Sequence, residues 1–186
     1  MKLIQTEIDF STPSYIDNFL PQEEFENIRD LILNQSETES IGYFPRHYVT
    51  NYSNEFSDVN PPWNWYATHM LYDFNRSQSS YCEQFYAIFV LKFYDMKIIK
   101  SLIRMKINFY PHSETLKVHG FHDDYPFDHF GALFSINTCD GYTEFEDGTK
   151  VDSVANRLML FNPKQPHRST TTTTAFGRFN INFNFL

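Results

Sequence analysis

The chain has only two cysteines among its 186 residues, Cys82 and Cys139. Two thiols cannot build the disulfide framework of a small secreted domain, and neither lies in a CxxC pair. Both are read as reduced, buried side chains of a cytoplasmic protein. Long apolar runs are also missing. The greasiest stretch, residues 85–91, stops at Lys92, far short of the roughly 20 apolar residues that cross a bilayer. Gln5 and Glu7 interrupt the apolar stretch that an export signal would need. Basic residues are scarce: 15 Lys and Arg against 23 Asp and Glu leave a net charge of -8. That balance disfavours phosphate backbones and anionic membranes as partners, both of which call for a basic surface. Internal repeats, Gly/Ser linkers and blocks of like charge are absent as well. The expectation is a soluble protein with no nucleic-acid or membrane partner.

What the chain does have is aromatic bulk. Twenty Phe and 12 Tyr, within a hydrophobic fraction of 41%, offer enough apolar area to offset the entropy of ordering one domain spanning residues 1–186. Its character changes near residue 100, so residues 1–97 read as a helix-rich supporting part and 98–186 as a β part. Over 21–35, an opening Pro21, acids in the first turn, and Phe25, Ile28, Leu31 and Ile32 on one face predict a helix. Segments 62–75 and 80–95 are aromatic-rich with roughly helical spacing and are expected to pack against a sheet. Residues 41–61, broken by Pro45, Asn51, Asn54 and Asn60, form either a strand pair or a long loop.

Beyond residue 98 the signals are β. Alternation over 99–110 ends at Pro111, and short strands are expected near 118–122, 130–137, 142–146, 149–153, 157–161, 166–172 and 177–185. Asp147-Gly148 marks a two-residue hairpin. Many short antiparallel strands following helices predict a mostly β protein with a double-sheet jelly-roll core, buttressed on one sheet by the N-terminal helices.

Four of the seven histidines, His112, His119, His122 and His129, crowd into one loop-rich stretch beside Asp123, Asp124 and Asp128. In extended chain, residues two apart share a face, so His122 and Asp124 can converge on one ion while Asp123 points away. His167, entered through Pro163 and Pro166, is the candidate third ligand. Two His and one carboxylate on one side of an octahedral ion form the facial triad of non-haem Fe(II) sites, with positions left open for substrates. His119 and His129 lack the offset to complete it and are read as surface or supporting residues. On the final strand, alternation separates Phe179, Ile181, Phe183 and Phe185 from Arg178, Asn180, Asn182 and Asn184. That polar stripe faces either solvent or a wet pocket, with Arg178 a planar fork suited to a carboxylate.

In this order, Asn108-Phe109-Tyr110-Pro111, His122-Asp123-Asp124, Leu133-Phe134-Ser135-Ile136-Asn137, Gly141-Tyr142-Thr143-Glu144-Phe145, Asn156-Arg157-Leu158-Met159-Leu160-Phe161, His167 and Arg178 resemble the Fe(II)/2-oxoglutarate dioxygenases, in their prolyl 4-hydroxylase-like branch. The resemblance covers roughly residues 100–186 and implies a double-stranded β-helix core. His122, Asp124 and His167 would hold Fe(II). Arg178 and Tyr110 would bind the far carboxylate of the cosubstrate 2-oxoglutarate, with Asn180 and Ser135 as further candidates beside it. Oxygen is the second cosubstrate implied, ascorbate a stimulant, and a hydroxylated C–H bond, succinate and carbon dioxide the products. The chain departs from the family in having Asp140-Gly141 where Gly-Gly is common, and Ser135 where some members place a tyrosine. Both departures bear on the substrate. A prolyl or other protein or peptide side chain is the first expectation, a small molecule such as a free amino acid the alternative. A metal-binding jelly roll without catalysis is the reading from another class.

Overall fold

The computed structural model describes residues 10–34, 40–46 and 61–186. Two antiparallel sheets face each other as a jelly roll. The larger sheet is ordered β1 (Ser14–Ile16), β9 (Arg157–Phe161), β6 (Phe130–Ser135), β11 (Gly177–Phe185), β5 (Leu102–Pro111), β3 (Tyr66–Asp73) and β2 (Phe44–Arg46), with β4 (Arg76–Ser77) paired to β3. The smaller sheet is ordered β10 (His167–Ser169), β7 (Tyr142–Phe145) and β8 (Lys150–Asp152).

The helices lie on one face of the larger sheet. The predicted first helix forms as α1 (Gln22–Leu33), burying Phe25, Ile28 and Ile32. The predicted helix over 80–95 forms as α2 (Cys82–Phe85) and α3 (Leu91–Asp95), joined by one π-helical turn over Tyr86–Val90. The wider turn adds a residue to the helical spacing and keeps Phe85, Phe89 and Phe93 all fully buried. Phe89 packs on Phe134 of β6 and Phe183 of β11, with ring centroids 4.9 and 5.1 Å apart. Burying such rings, each worth about 1.5–3 kcal/mol, joins the helices to the centre of the sheet. The N-terminal segment is tied down by polar contacts. Asn156, at φ 60°, accepts from the Leu20 N–H at 2.9 Å and donates to the Leu20 carbonyl at 2.8 Å.

The helical expectation for 62–75 is corrected. The segment is β3, turned into β4 through Phe74 and Asn75, both at positive φ as a type I′ hairpin requires. Between Met70 and Tyr72 a bulge shifts the register against β5. It buries Thr68 and Leu71 on a three-residue spacing, which in sequence imitates a helix. The supporting part therefore also contributes strands to the larger sheet. Of residues 41–61, β2 is a strand, whereas 47–60 lie outside the described residues.

Two β expectations are also corrected. Residues 118–122 form no strand and pair through isolated bridges, Val118 to Thr170 and His122 to His167; Gly120 between them is a weak strand former. The β7–β8 hairpin has a three-residue loop. The Gly148 N–H donates to the Phe145 carbonyl and Phe145 pairs with Thr149, so only Gly148, at φ 85°, occupies the left-handed region. Both cysteines are free, and Cys139 is half-buried rather than buried. Among the described residues no helix is long and apolar enough to cross a membrane.

Candidate metal centre

His122, Asp124 and His167 are brought together by backbone pairing. The His122 N–H donates to the His167 carbonyl at 2.9 Å and the return bond is 3.0 Å, an antiparallel bridge that places the two imidazoles side by side. Two residues on, the Asp124 N–H donates to the Pro163 carbonyl at 3.1 Å. One ligand atom from each residue lies within 4.8 Å of the others. His167 donates through Nδ1 to the Gln165 carbonyl at 2.9 Å, which leaves Nε2 as the acceptor nitrogen, the arrangement typical of ligating histidines.

The protonation states suit a cation. Burial, reinforced by His167, lowers His122 to about 4, so its imidazole is neutral at neutral pH. Burial works to raise the Asp124 carboxyl, but Arg104, His167, Lys106 and Asn184 together outweigh it and hold the group well below the usual carboxylate range. Arg104 Nη2 donates to Asp124 Oδ1 at 3.0 Å and Asn184 Nδ2 to Oδ2 at 2.8 Å. Two imidazoles and one ionised carboxylate on one side of a cavity are a donor set that suits Fe(II) with open coordination positions.

The floor of the cavity is a ladder between β5 and β11. Cross-strand partners are Tyr110 with Arg178, Asn108 with Asn180, Lys106 with Asn182, and Arg104 with Asn184. All eight belong to one face by alternation, and the β11 members are buried, so the polar stripe of the last strand lines a pocket. At the end away from Asp124, Arg178 is 1% exposed. Its Nη2 donates to Thr143 Oγ1 at 2.8 Å, while Nε and Nη1 have no partner among the described residues. An unsatisfied buried guanidinium is costly, and here it is aimed into the cavity. Room for it depends on Gly141, where a Cβ would come 2.8 Å from Arg178 Cδ and 2.8 Å from the Thr171 carbonyl oxygen. The Tyr110 ring lies 5.5 Å from the guanidinium carbon. Burial raises its hydroxyl to about 12, against the opposing pull of Arg178, which keeps it a protonated donor.

His122, Asp124, His167, Arg178, Tyr110 and Asn180 thus line one cavity. Ser135 does not: it is buried on β6 opposite Asn180 and lies outside the lining. His119 and His129 are not surface residues either, being 1% and 4% exposed. His119 packs its ring 5.6 Å from Tyr110 and hydrogen-bonds Ser169 through Nδ1. Sequence reading misses Arg104, Lys106, Asn108 and Thr143. For the first three the signal is present, since 104, 106, 108 and 110 form a polar stripe matching that of β11 once the strands are paired.

No known protein family matches the sequence, and no curated protein matches it. Solved structures do resemble it. A prolyl-4-hydroxylase of Pseudomonas putida aligns with TM-score 0.60 at 15% identity, over 93% of this chain and 91% of that one. A prolyl hydroxylase from Trichoplax adhaerens, solved with a hypoxia-inducible-factor peptide, aligns at 0.58 and 15%, over 93% and 83%. HygX from Streptomyces hygroscopicus, solved with nickel, 2-oxoglutarate and hygromycin B, aligns at 0.55 and 13%, over 94% and 82%. The fold is the jelly roll of the 2-oxoglutarate/Fe(II) oxygenases, as the sequence resemblance implies.

Proposed function

We propose that the protein is an Fe(II)- and 2-oxoglutarate-dependent oxygenase that hydroxylates a C–H bond of its substrate, with oxygen consumed and succinate and carbon dioxide released. The observation that carries this reading is a single cavity with His122, Asp124 and His167 at one end and the unsatisfied guanidinium of Arg178 at the other. An ion and a dianion placed there would satisfy groups that the fold leaves unpaired.

When bound, the iron would supply oxygen activation and the oxidative decarboxylation of the keto acid. The chain's own residues do the rest. Arg104 and Asn184 keep Asp124 ionised and oriented, and Gln165 fixes the His167 tautomer. Arg178 offers a planar fork to the far carboxylate of 2-oxoglutarate, and the Tyr110 hydroxyl is its neighbouring donor. Burial of Arg178 excludes the water that would otherwise compete for it.

A prolyl or other protein side chain as substrate is supported by the prolyl hydroxylases among the similar structures. A small molecule is supported by HygX, solved with hygromycin B, and by the charge of the cavity. The test is succinate formation from 2-oxoglutarate by protein supplied with Fe(II), ascorbate and oxygen. Turnover in the wild type and none in Asp124→Ala is the expected result. A protein that binds metal but neither binds nor consumes 2-oxoglutarate would instead be a metal-binding jelly roll.

A further inference from the structure

The charge around the cavity runs opposite to that of the whole chain. Against a net -8, Lys106 and Arg178 line the cavity with Asp124, Arg104 is paired with Asp124, and Arg46 and Asp73 act on Lys106 with opposite sign. A divalent metal and a dianionic cosubstrate cancel each other. The cations around the loaded site then outnumber the carboxylates, and burial pushes the Lys106 ammonium down to about 7, as expected of a charge held without compensation.

Three of the four cations have identifiable tasks or positions. Arg104 is paired with Asp124 at 3.0 Å, and Arg178 is at the far end of the ladder. Arg46 is exposed on β2, opposite Tyr66. Lys106 is different. It lines the cavity on the rung between Asn108 and Arg104, its ammonium 5.5 Å from the Tyr66 ring centroid. It has no ion pair or hydrogen bond among the described residues. Across the rung, Asn182 is 5% exposed and its Oδ1 is also without a partner. Four residues of strand, about 13 Å, separate Lys106 from Tyr110, so Lys106 stands at the metal end of the cavity, away from the Arg178 anchor.

We propose that Lys106 receives a carboxylate of the primary substrate and so makes this an oxygenase of carboxylate-bearing molecules. The inference rests on the oxygenase reading and narrows it. A lysine ammonium set against an aromatic face is a point charge without a counter-ion, and a substrate carboxylate supplies one while fixing the neighbouring carbon near the metal. The carboxylate has two sources, a free acid or the terminal or acidic residue of a peptide.

The experiment uses the full chain loaded with Mn(II) and 2-oxoglutarate without oxygen. Calorimetric titration is carried out with the 20 free L-amino acids, their amides, and short peptides ending in a free or amidated carboxyl group, in wild type and Lys106→Met. The proposal expects at least one acid to bind at least tenfold more tightly than its amide in the wild type. It expects that preference to be lost in Lys106→Met, with 2-oxoglutarate affinity changed less than threefold. Preference among free amino acids or among peptides identifies the source. If no acid is distinguished from its amide, if the preference survives in Lys106→Met, or if Lys106→Met chiefly weakens 2-oxoglutarate, the proposal is wrong. Failure of the oxygenase reading itself has a separate signature, no metal-dependent 2-oxoglutarate binding in the wild type. A second variant, Lys106→Arg, keeps the charge and is expected to retain a preference for acids, which a purely structural role would not require.

Discussion

Arg104 and Asp124 form an ion pair at 3.0 Å with side chains 14% and 8% exposed, and Asn184 holds the other carboxylate oxygen. The carboxylate that would face the metal is thus oriented from behind by two neighbouring strands of the larger sheet. Supporting partners of this kind set both the geometry and the ionisation of a ligand. Arg104→Met is expected to weaken metal affinity by about 10–100-fold, read by titration with Mn(II) or Fe(II), while the far-ultraviolet spectrum stays that of the folded protein. Unchanged metal affinity in that variant would remove Arg104 from the site.

Arg178 and Gly141 make a second prediction. Leaving a buried carboxylate without its partner costs about 2–5 kcal/mol, so Arg178→Met should weaken 2-oxoglutarate binding by about thirtyfold or more at unchanged metal affinity. Gly141→Ala, which pushes a methyl group toward Arg178 Cδ, is expected to weaken it by about 1–3 kcal/mol. Equal losses of metal and 2-oxoglutarate affinity would point to collapse of the cavity instead.

Much of this site is legible in the sequence because its parts lie close together or alternate simply. His122 and Asp124 are two residues apart, and Arg178 begins a strand whose polar and apolar positions alternate without a break. Lys106 is hidden because an isolated alternating strand does not reveal which strand its polar face will meet; only the pairing of 106 with 182 turns two ordinary stripes into one cavity floor. In the fold, β3 reads as helical because a bulge at Leu71 breaks the two-residue period. Ser135 is suggested only by resemblance to a position in other proteins, and such a position carries no information about where this side chain ends in the cavity.

Acid should destabilise the metal-free protein in a defined window. Burial lowers His119 and His122 from 6.5 to about 4. Between those values the unfolded chain takes up protons that the folded chain refuses, so stability falls as pH drops from 6.5 toward 4. Each tenfold loss of proton affinity on folding is worth about 1.4 kcal/mol, so His119 alone contributes about 3 kcal/mol to that fall. Asp124, held low, adds its own loss only as pH falls through the carboxylate range and below. Urea unfolding at pH 7, 5.5 and 4 reads the slope, and His119→Gln should reduce it. A stability independent of pH between 6.5 and 4 would mean that neither ring is kept neutral by the fold.

The central claim is that His122, Asp124 and His167 hold iron in a cavity that also takes a keto acid. Its most direct test is anaerobic absorption spectroscopy of the protein with Fe(II) and 2-oxoglutarate, because a keto acid chelated to ferrous iron gives a visible charge-transfer band that neither component gives alone. The wild type is expected to show that band, Asp124→Ala to lose it, and Arg178→Met to show it only at higher 2-oxoglutarate concentration. A folded wild-type protein that shows no band at saturating iron and 2-oxoglutarate would contradict the claim.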